Sequence, residues 1–94
     1  MYRVADIHKT AIVEPGAQIG CGVSIGAFCY IGAHASIGDN TQIQPYAKVT
    51  GHTVIGKECA IFSYASIGSQ PQDRSYRGEP TKLIIGDNNI FREN

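Results

Sequence analysis

The sequence has no Trp, one Met and one Leu (Leu83), and no excess of either charge: eight Lys plus Arg face eight Asp plus Glu. A neutral chain without a Lys/Arg-rich run lacks the linear footprint with which proteins meet nucleic-acid backbones or anionic membrane surfaces, so neither is expected as a partner. No apolar run approaches the ~20 residues of a membrane span, and Met1 to Asp6 opens no signal region. The expectation is a cytoplasmic chain with no integral membrane segment. Cysteine is scarce, and Cys21, Cys29 and Cys59 are odd in number and widely spaced. That suggests neither a disulfide framework nor a zinc knuckle and reads as reduced thiols. Ninety-four residues suffice for one domain, 1–94.

What the chain does have is thirteen Ile, five Val and eleven Gly. β-branched side chains lose rotamer freedom in a helix and suit strands, so a helical bundle is disfavoured. Their placement is periodic. An aliphatic residue recurs at every sixth position: Ile7, Val13, Ile19, Ile25, Ile31, Ile37, Ile43, Val49, Ile55, Ile61 and Ile67. Two residues before each stands a small or compact one, from Ala5 and Ala11 through Cys29 and Thr41 to Cys59 and Ala65. Residues two apart on a strand point the same way, so each triplet is a short strand with two side chains inward and one outward. The outward residue is mostly polar, with Ile12, Val54 and Ala60 as exceptions. Gly follows the aliphatic position at 20, 26, 32, 38, 56 and 68, which reads as a corner where the backbone takes a conformation Gly tolerates best. Pro15 and Pro45 fall inside these corners, where no ladder bond is lost.

Strands this short bury too little surface alone and must stack as a solenoid. After Ile67 the rhythm lapses, with Asp73 and Glu79 at the next expected aliphatic positions, which an apolar interior would not accept unpaired. The segment from Gln70 to Lys82 is rich in Pro, Gly and charge and reads as a projecting loop near 69–83. The repeat resumes at Ile85-Gly86.

The hexapeptides resemble the left-handed parallel β-helix family, in which three hexapeptides make one triangular coil. This implies an all-β fold with Ile7, Ile25, Ile43 and Ile61 on one side. Val13, Ile31, Val49 and Ile67 form the second, and Ile19, Ile37 and Ile55 the third. The segments Gly51-His52-Thr53, Ala65-Ser66-Ile67-Gly68, Pro71-Gln72-Asp73, Tyr76 to Thr81 and Ile85 to Glu93 resemble the N-terminal part of the UDP-N-acetylglucosamine 3-O-acyltransferase family. That family transfers a 3-hydroxyacyl group from acyl carrier protein to the sugar 3-hydroxyl in the first step of lipid A synthesis, as a homotrimer with sites between subunits. It uses no cofactor beyond the carrier thioester. The resemblance implies that Gln72 and Asp73 line the substrate cleft, with a carboxylate and an amide able to bond sugar or acyl hydroxyls, and that Tyr76 supports the loop. Ser75 stands where the family has Lys, and Arg74 replaces an apolar residue. The family's catalytic His would lie beyond Asn94, so no catalytic residue is assigned here, and the chain reads as the N-terminal part of a longer enzyme, inactive alone.

Two other readings compete. A non-catalytic β-helical scaffold or trimerisation module uses the same coils. A γ-type carbonic anhydrase would hold zinc on three His; His34 and His52 are eighteen residues apart and stack at one outward corner, but His8 lies at another phase, so no metal is assigned. Cys29 and Cys59 fall in the inward register and read as core. Phe28 and Phe62 are left as covers of the prism or of a neighbouring subunit.

Overall fold

The structure is a computed structural model and describes residues 4–68 and 82–92. Thirteen strands follow one another among them: β1 (Asp6–Ile7), β2 (Ile12–Val13), β3 (Gln18–Ile19), β4 (Ser24–Ile25), β5 (Tyr30–Ile31), β6 (Ser36–Ile37) and β7 (Gln42–Ile43), then β8 (Lys48–Val49), β9 (His52–Ile55), β10 (Ala60–Ile61), β11 (Ser66–Ile67), β12 (Lys82–Ile85) and β13 (Ile90–Phe91). Each strand pairs in parallel with the one three places on, giving three sheets: β1-β4-β7-β10-β13, β2-β5-β8-β11 and β3-β6-β9-β12. The expected columns form in register, with Ile7 beside Ile25, Val13 beside Ile31 and Ile19 beside Ile37. The backbone of one coil bonds to the next, as in Gly38 N–H to Ile55 O at 2.7 Å. No helix among the described residues is long and apolar enough to cross a membrane.

The interior is built from the two inward registers. Val23, Ile25, Cys29, Ile31, Ala35, Ile37, Ala47, Val49, Ile55, Cys59 and Ile61 are all buried, and truncating one such Ile to Ala costs about 2–5 kcal/mol. Both buried cysteines donate to backbone carbonyls, Cys29 Sγ to Gln44 O at 3.0 Å and Cys59 Sγ to Gly86 O at 3.2 Å. Thr41 and Thr53 occupy the small register without leaving a polar atom unpaired. Thr41 Oγ1 donates to Gly56 O at 2.9 Å and accepts the Cys59 N–H at 3.2 Å, while Thr53 Oγ1 donates to Thr50 O at 2.7 Å.

Two sequence expectations change. The strand after the insertion begins at Lys82, so residues 82 and 83 belong to the sheet and not to a loop reaching 83; β9 is itself four residues long and templates β12 from His52–Lys82 to Ile55–Ile85. Among the corner glycines, Gly68 has the expected left-handed backbone, with φ 80°, but the others are explained differently. Gly26 and Gly38 do not have positive φ. They are required because coils approach closely there: a Cβ on Gly38 would lie 2.5 Å from Gly56 C, and one on Gly26 2.7 Å from Pro45 N. The left-handed positions come two residues later and hold Phe28, Asn40, Tyr46, Glu58, Tyr64 and Asn88 as well as Gly16 and Gly22.

Candidate functional site at the histidine corner

The three corners differ in chemistry. The first, between the sheet of β1 and that of β2, carries Phe28, Tyr46 and Tyr64. The third, between the sheets of β3 and β4, carries Asp39, Asn40, Lys57, Glu58, Asp87 and Asn88. The second, between the sheets of β2 and β3, carries His34 and His52, and it is here that the chain departs after Gly68 and re-enters at Lys82.

Local geometry anchors that departure. Gly51 and Gly68 both have left-handed backbone (φ 71° and 80°), which a β-carbon would strain. A Cβ on Gly68 would collide with Thr50 O and Thr53 Oγ1, and one on Gly51 would lie 2.7 Å from Gly68 O. The Thr50 N–H donates to Ile67 O at 2.9 Å. The Gly51-His52-Thr53 segment is thus the seat on which the insertion starts, and His52 pairs in register with Lys82 where it ends.

A cleft of about 660 Å³ runs along this corner, lined by Glu14, Pro15, Tyr30, Gly32, Ala33, His34, Thr50, Gly51 and His52. The imidazoles of His34 and His52 stack with centroids 4.4 Å apart and planes 18° apart, both exposed. Rings stacked face to face send their in-plane lone pairs in parallel directions, so they do not converge on one ion as a tetrahedral zinc site requires. Among the described residues no three His, Cys, Asp or Glu side chains gather as a metal site. His8 turns to its own corner, with Nδ1 2.8 Å from Thr10 Oγ1. Below the histidines, the Tyr30 hydroxyl donates to Glu14 Oε2 at 3.2 Å. Burial, then the Glu14 charge and this hydrogen bond, raise the phenol above its usual value of 10.0.

The sequence-expected site residues Gln72, Asp73 and Tyr76, with Arg74 and Ser75, lie outside the described residues. The structure describes the residues on either side of that segment, Gly68 and Lys82. Sequence reading missed the Glu14–Tyr30 pair and the aromatic column of the first corner. Both are visible only once positions are compared at the eighteen-residue coil spacing: Glu14 lies on the corner of one coil and Tyr30 on the strand of the next.

Comparison with known proteins agrees with this architecture. Residues 34–69 match the bacterial transferase hexapeptide family (six repeats), and the chain has the left-handed parallel β-helix fold of its structural neighbours. The chain is 45% identical over 87 residues to the acyl-[acyl-carrier-protein]–UDP-N-acetylglucosamine O-acyltransferase of Brucella anthropi, covering 93% of this chain and 31% of that protein. It is 46% identical to the enzyme of the same name from Saccharophagus degradans, covering 93% of this chain and 34% of the relative. The crystal structure of LpxA from Acinetobacter baumannii superposes with a TM-score of 0.89 at 46% identity, over 93% of this chain and 34% of that one. The chain spans about a third of the length of the curated relatives it matches.

Proposed function

We propose that this chain forms the N-terminal coils and one wall of the substrate cleft of an acyltransferase that moves a 3-hydroxyacyl group from acyl carrier protein to the 3-hydroxyl of UDP-N-acetylglucosamine. The observation that carries the reading is identity of 45% running through 87 residues, so that it extends well beyond the residues 34–69 matched by the repeat family. The insertion supports it: the hexapeptide coil alone suits many transferases, while an insertion seated on the Gly51-His52-Thr53 corner is a specific elaboration of it.

In this reaction the sugar hydroxyl attacks the thioester carbonyl, an O–C bond forms, the C–S bond breaks and the hydroxyl proton ends on the carrier thiol. A general base must take that proton and donors must meet the developing oxyanion. In this reading Asp73 and Gln72 hold substrate hydroxyls, Tyr76 supports their loop, and the base is supplied from beyond Asn94. A homotrimer with sites between subunits and a cytoplasmic setting belong to the same reading.

The test is acyl transfer by the gene product containing this chain, followed as carrier thiol released with UDP-N-acetylglucosamine and 3-hydroxyacyl carrier protein. Thiol release matched by acylated sugar is expected. Asp73→Ala should lower kcat/KM by about 10- to 100-fold, the loss of one charged hydrogen bond. No transfer by the wild-type protein would overturn the reading, and unchanged nucleotide-sugar affinity in Asp73→Ala would remove the binding role of that residue.

A further inference from the structure

The second corner is not built alike in successive coils. In the first, Glu14-Pro15-Gly16-Ala17 turns on a bond from the Ala17 N–H to Glu14 O at 3.2 Å, and in the second Gly32-Ala33-His34-Ala35 repeats it, Ala35 N–H to Gly32 O at 3.2 Å. In the third, Thr50-Gly51-His52-Thr53 occupies the same place and the bond moves. The Thr53 N–H goes to Gly51 O at 3.0 Å, one residue nearer along the chain. Gly51 takes a left-handed φ of 71° there, whereas Ala33, its counterpart in the coil below, has no positive φ.

The carbonyl given up by that N–H finds another donor. Thr53 Oγ1 donates to Thr50 O at 2.7 Å, from a side chain that is fully buried. A part-buried carbonyl without a partner costs stability, so the hydroxyl stands in for the N–H. Packing alone has no use for it: Ala17 and Ala35 fill the same inward column in the coils below, and Leu83 in the coil above.

The new bonding lengthens the strand that follows. β3 and β6 start at Gln18 and Ser36, whereas β9 starts two residues earlier in its coil, at His52. Those two residues supply the rows His52–Lys82 and Thr53–Leu83, the first described pairings after the insertion. The departing chain is tied to the same bond. A Cβ on Gly68 would collide with Thr50 O and Thr53 Oγ1, the acceptor and the donor, so the backbone leaves directly against them.

We propose that Thr53 is a positioning residue for substrate: by holding Thr50 O it frees its own N–H, extends β9 to His52 and sets where the insertion carrying Gln72 and Asp73 leaves and re-enters the prism. Thr53 itself touches no substrate. Its effect on substrate rests on the acyl-transfer reading, in which Gln72 and Asp73 hold sugar or acyl hydroxyls; its hold on the two ends of the insertion does not.

The gene product containing this chain tests it with Thr53→Val, which keeps the shape and loses the hydroxyl, and Thr53→Ser, which keeps the hydroxyl. Thr41→Val is the control, removing a buried hydroxyl of the same small register at the third corner, away from the insertion. Acyl-transfer kinetics are read together with hydrogen exchange of the β12 amides relative to those of β5. Thr53→Val is expected to raise KM for UDP-N-acetylglucosamine about 10- to 100-fold with a smaller change in kcat, and to speed relative β12 exchange about tenfold. Thr53→Ser should bring both to within about twofold of wild type. Thr41→Val should leave KM and the exchange ratio unchanged. Wild-type KM in Thr53→Val, an equal rise in Thr41→Val, or no rescue by Thr53→Ser overturns the proposal. Absence of acyl transfer by the wild-type protein overturns the functional reading instead; the exchange ratio then decides alone, and an unchanged ratio in Thr53→Val overturns the role of Thr53. If Thr53→Val does not fold, Thr53→Ala, which matches Ala17 and Ala35, is held to the same outcomes.

Discussion

Asp87 Oδ1 accepts the backbone N–H of Lys57 at 2.8 Å, reaching from one coil to the corner beneath it. Gly56 makes room for it, since a Cβ there would occupy the carboxylate's place. Asp39 repeats the arrangement two coils lower, accepting the Cys21 N–H at 2.9 Å above Gly20. The Ile-Gly-Asp-Asn sequence at 37–40 and again at 85–88 is therefore a coil-to-coil clasp. The Asp39 bond is partly buried and the Asp87 bond exposed, so Asp39→Ala should cost about 1.5–3 kcal/mol and Asp87→Ala less. Urea unfolding midpoints check the order, and a larger loss at Asp87 would contradict it.

The glycines after the aliphatic positions should divide by their surroundings. Gly38→Ala puts a Cβ against backbone atoms of Gly56 and Lys57, which must shift together with their coil; Gly32→Ala meets Thr50 Cα at 3.5 Å and Val49 O at 3.6 Å, ordinary contact. Gly38→Ala is expected to lose about 1–3 kcal/mol by overpacking, and Gly32→Ala to stay near neutral or gain up to about 1 kcal/mol from a less flexible unfolded chain. Thermal melts of the two proteins make the comparison. Equal losses would mean that the corners share one backbone constraint instead of differing in coil contact.

Much of this fold was legible because each coil imposes the same demand on the same two inward positions, so that Ile25, Ile43 and Ile61 announce themselves at period six. The reason for the corner glycines was not, since Gly26 and Gly38 serve contacts eighteen residues away and not their own φ. Contacts across coils depend on how many sides a coil has, which the period alone leaves open; Phe28, Tyr46 and Tyr64 look unrelated until that number is known. The resemblance singled out Gln72 and Asp73, whereas the described geometry begins and ends at their seat, from Gly68 to Lys82.

Thr41 carries two hydrogen bonds in the core, one donated to Gly56 O and one accepted from the Cys59 N–H. Thr41→Val preserves shape and removes both, leaving a buried donor and a buried acceptor without a partner, at a cost of about 1–3 kcal/mol. Thr41→Ser keeps the hydroxyl and loses a methyl, about 1 kcal/mol. Chemical denaturation of both variants separates hydrogen bonding from packing. A Val variant as stable as wild type would show that the hydroxyl is dispensable there.

Tyr30 and Glu14 make stability fall at alkaline pH. The folded state holds the Tyr30 phenol above 10.0 through burial, the nearby carboxylate and the hydrogen bond between them, whereas the unfolded chain ionises near that value. Below pH 10 both states are protonated and the contribution is present in full. As pH rises from 10 through the raised folded value, the unfolded state releases its proton first, and the contribution is lost. Tyr30→Phe cannot ionise in either state. The stability difference between wild type and Tyr30→Phe should therefore be constant at neutral pH and shift against the wild type above pH 10, measured by urea unfolding across that range. A difference that does not change with pH would show that Tyr30 titrates alike in both states. Glu14→Gln, which removes the charge and keeps an acceptor, should reduce the shift without abolishing it, because burial alone still raises the phenol.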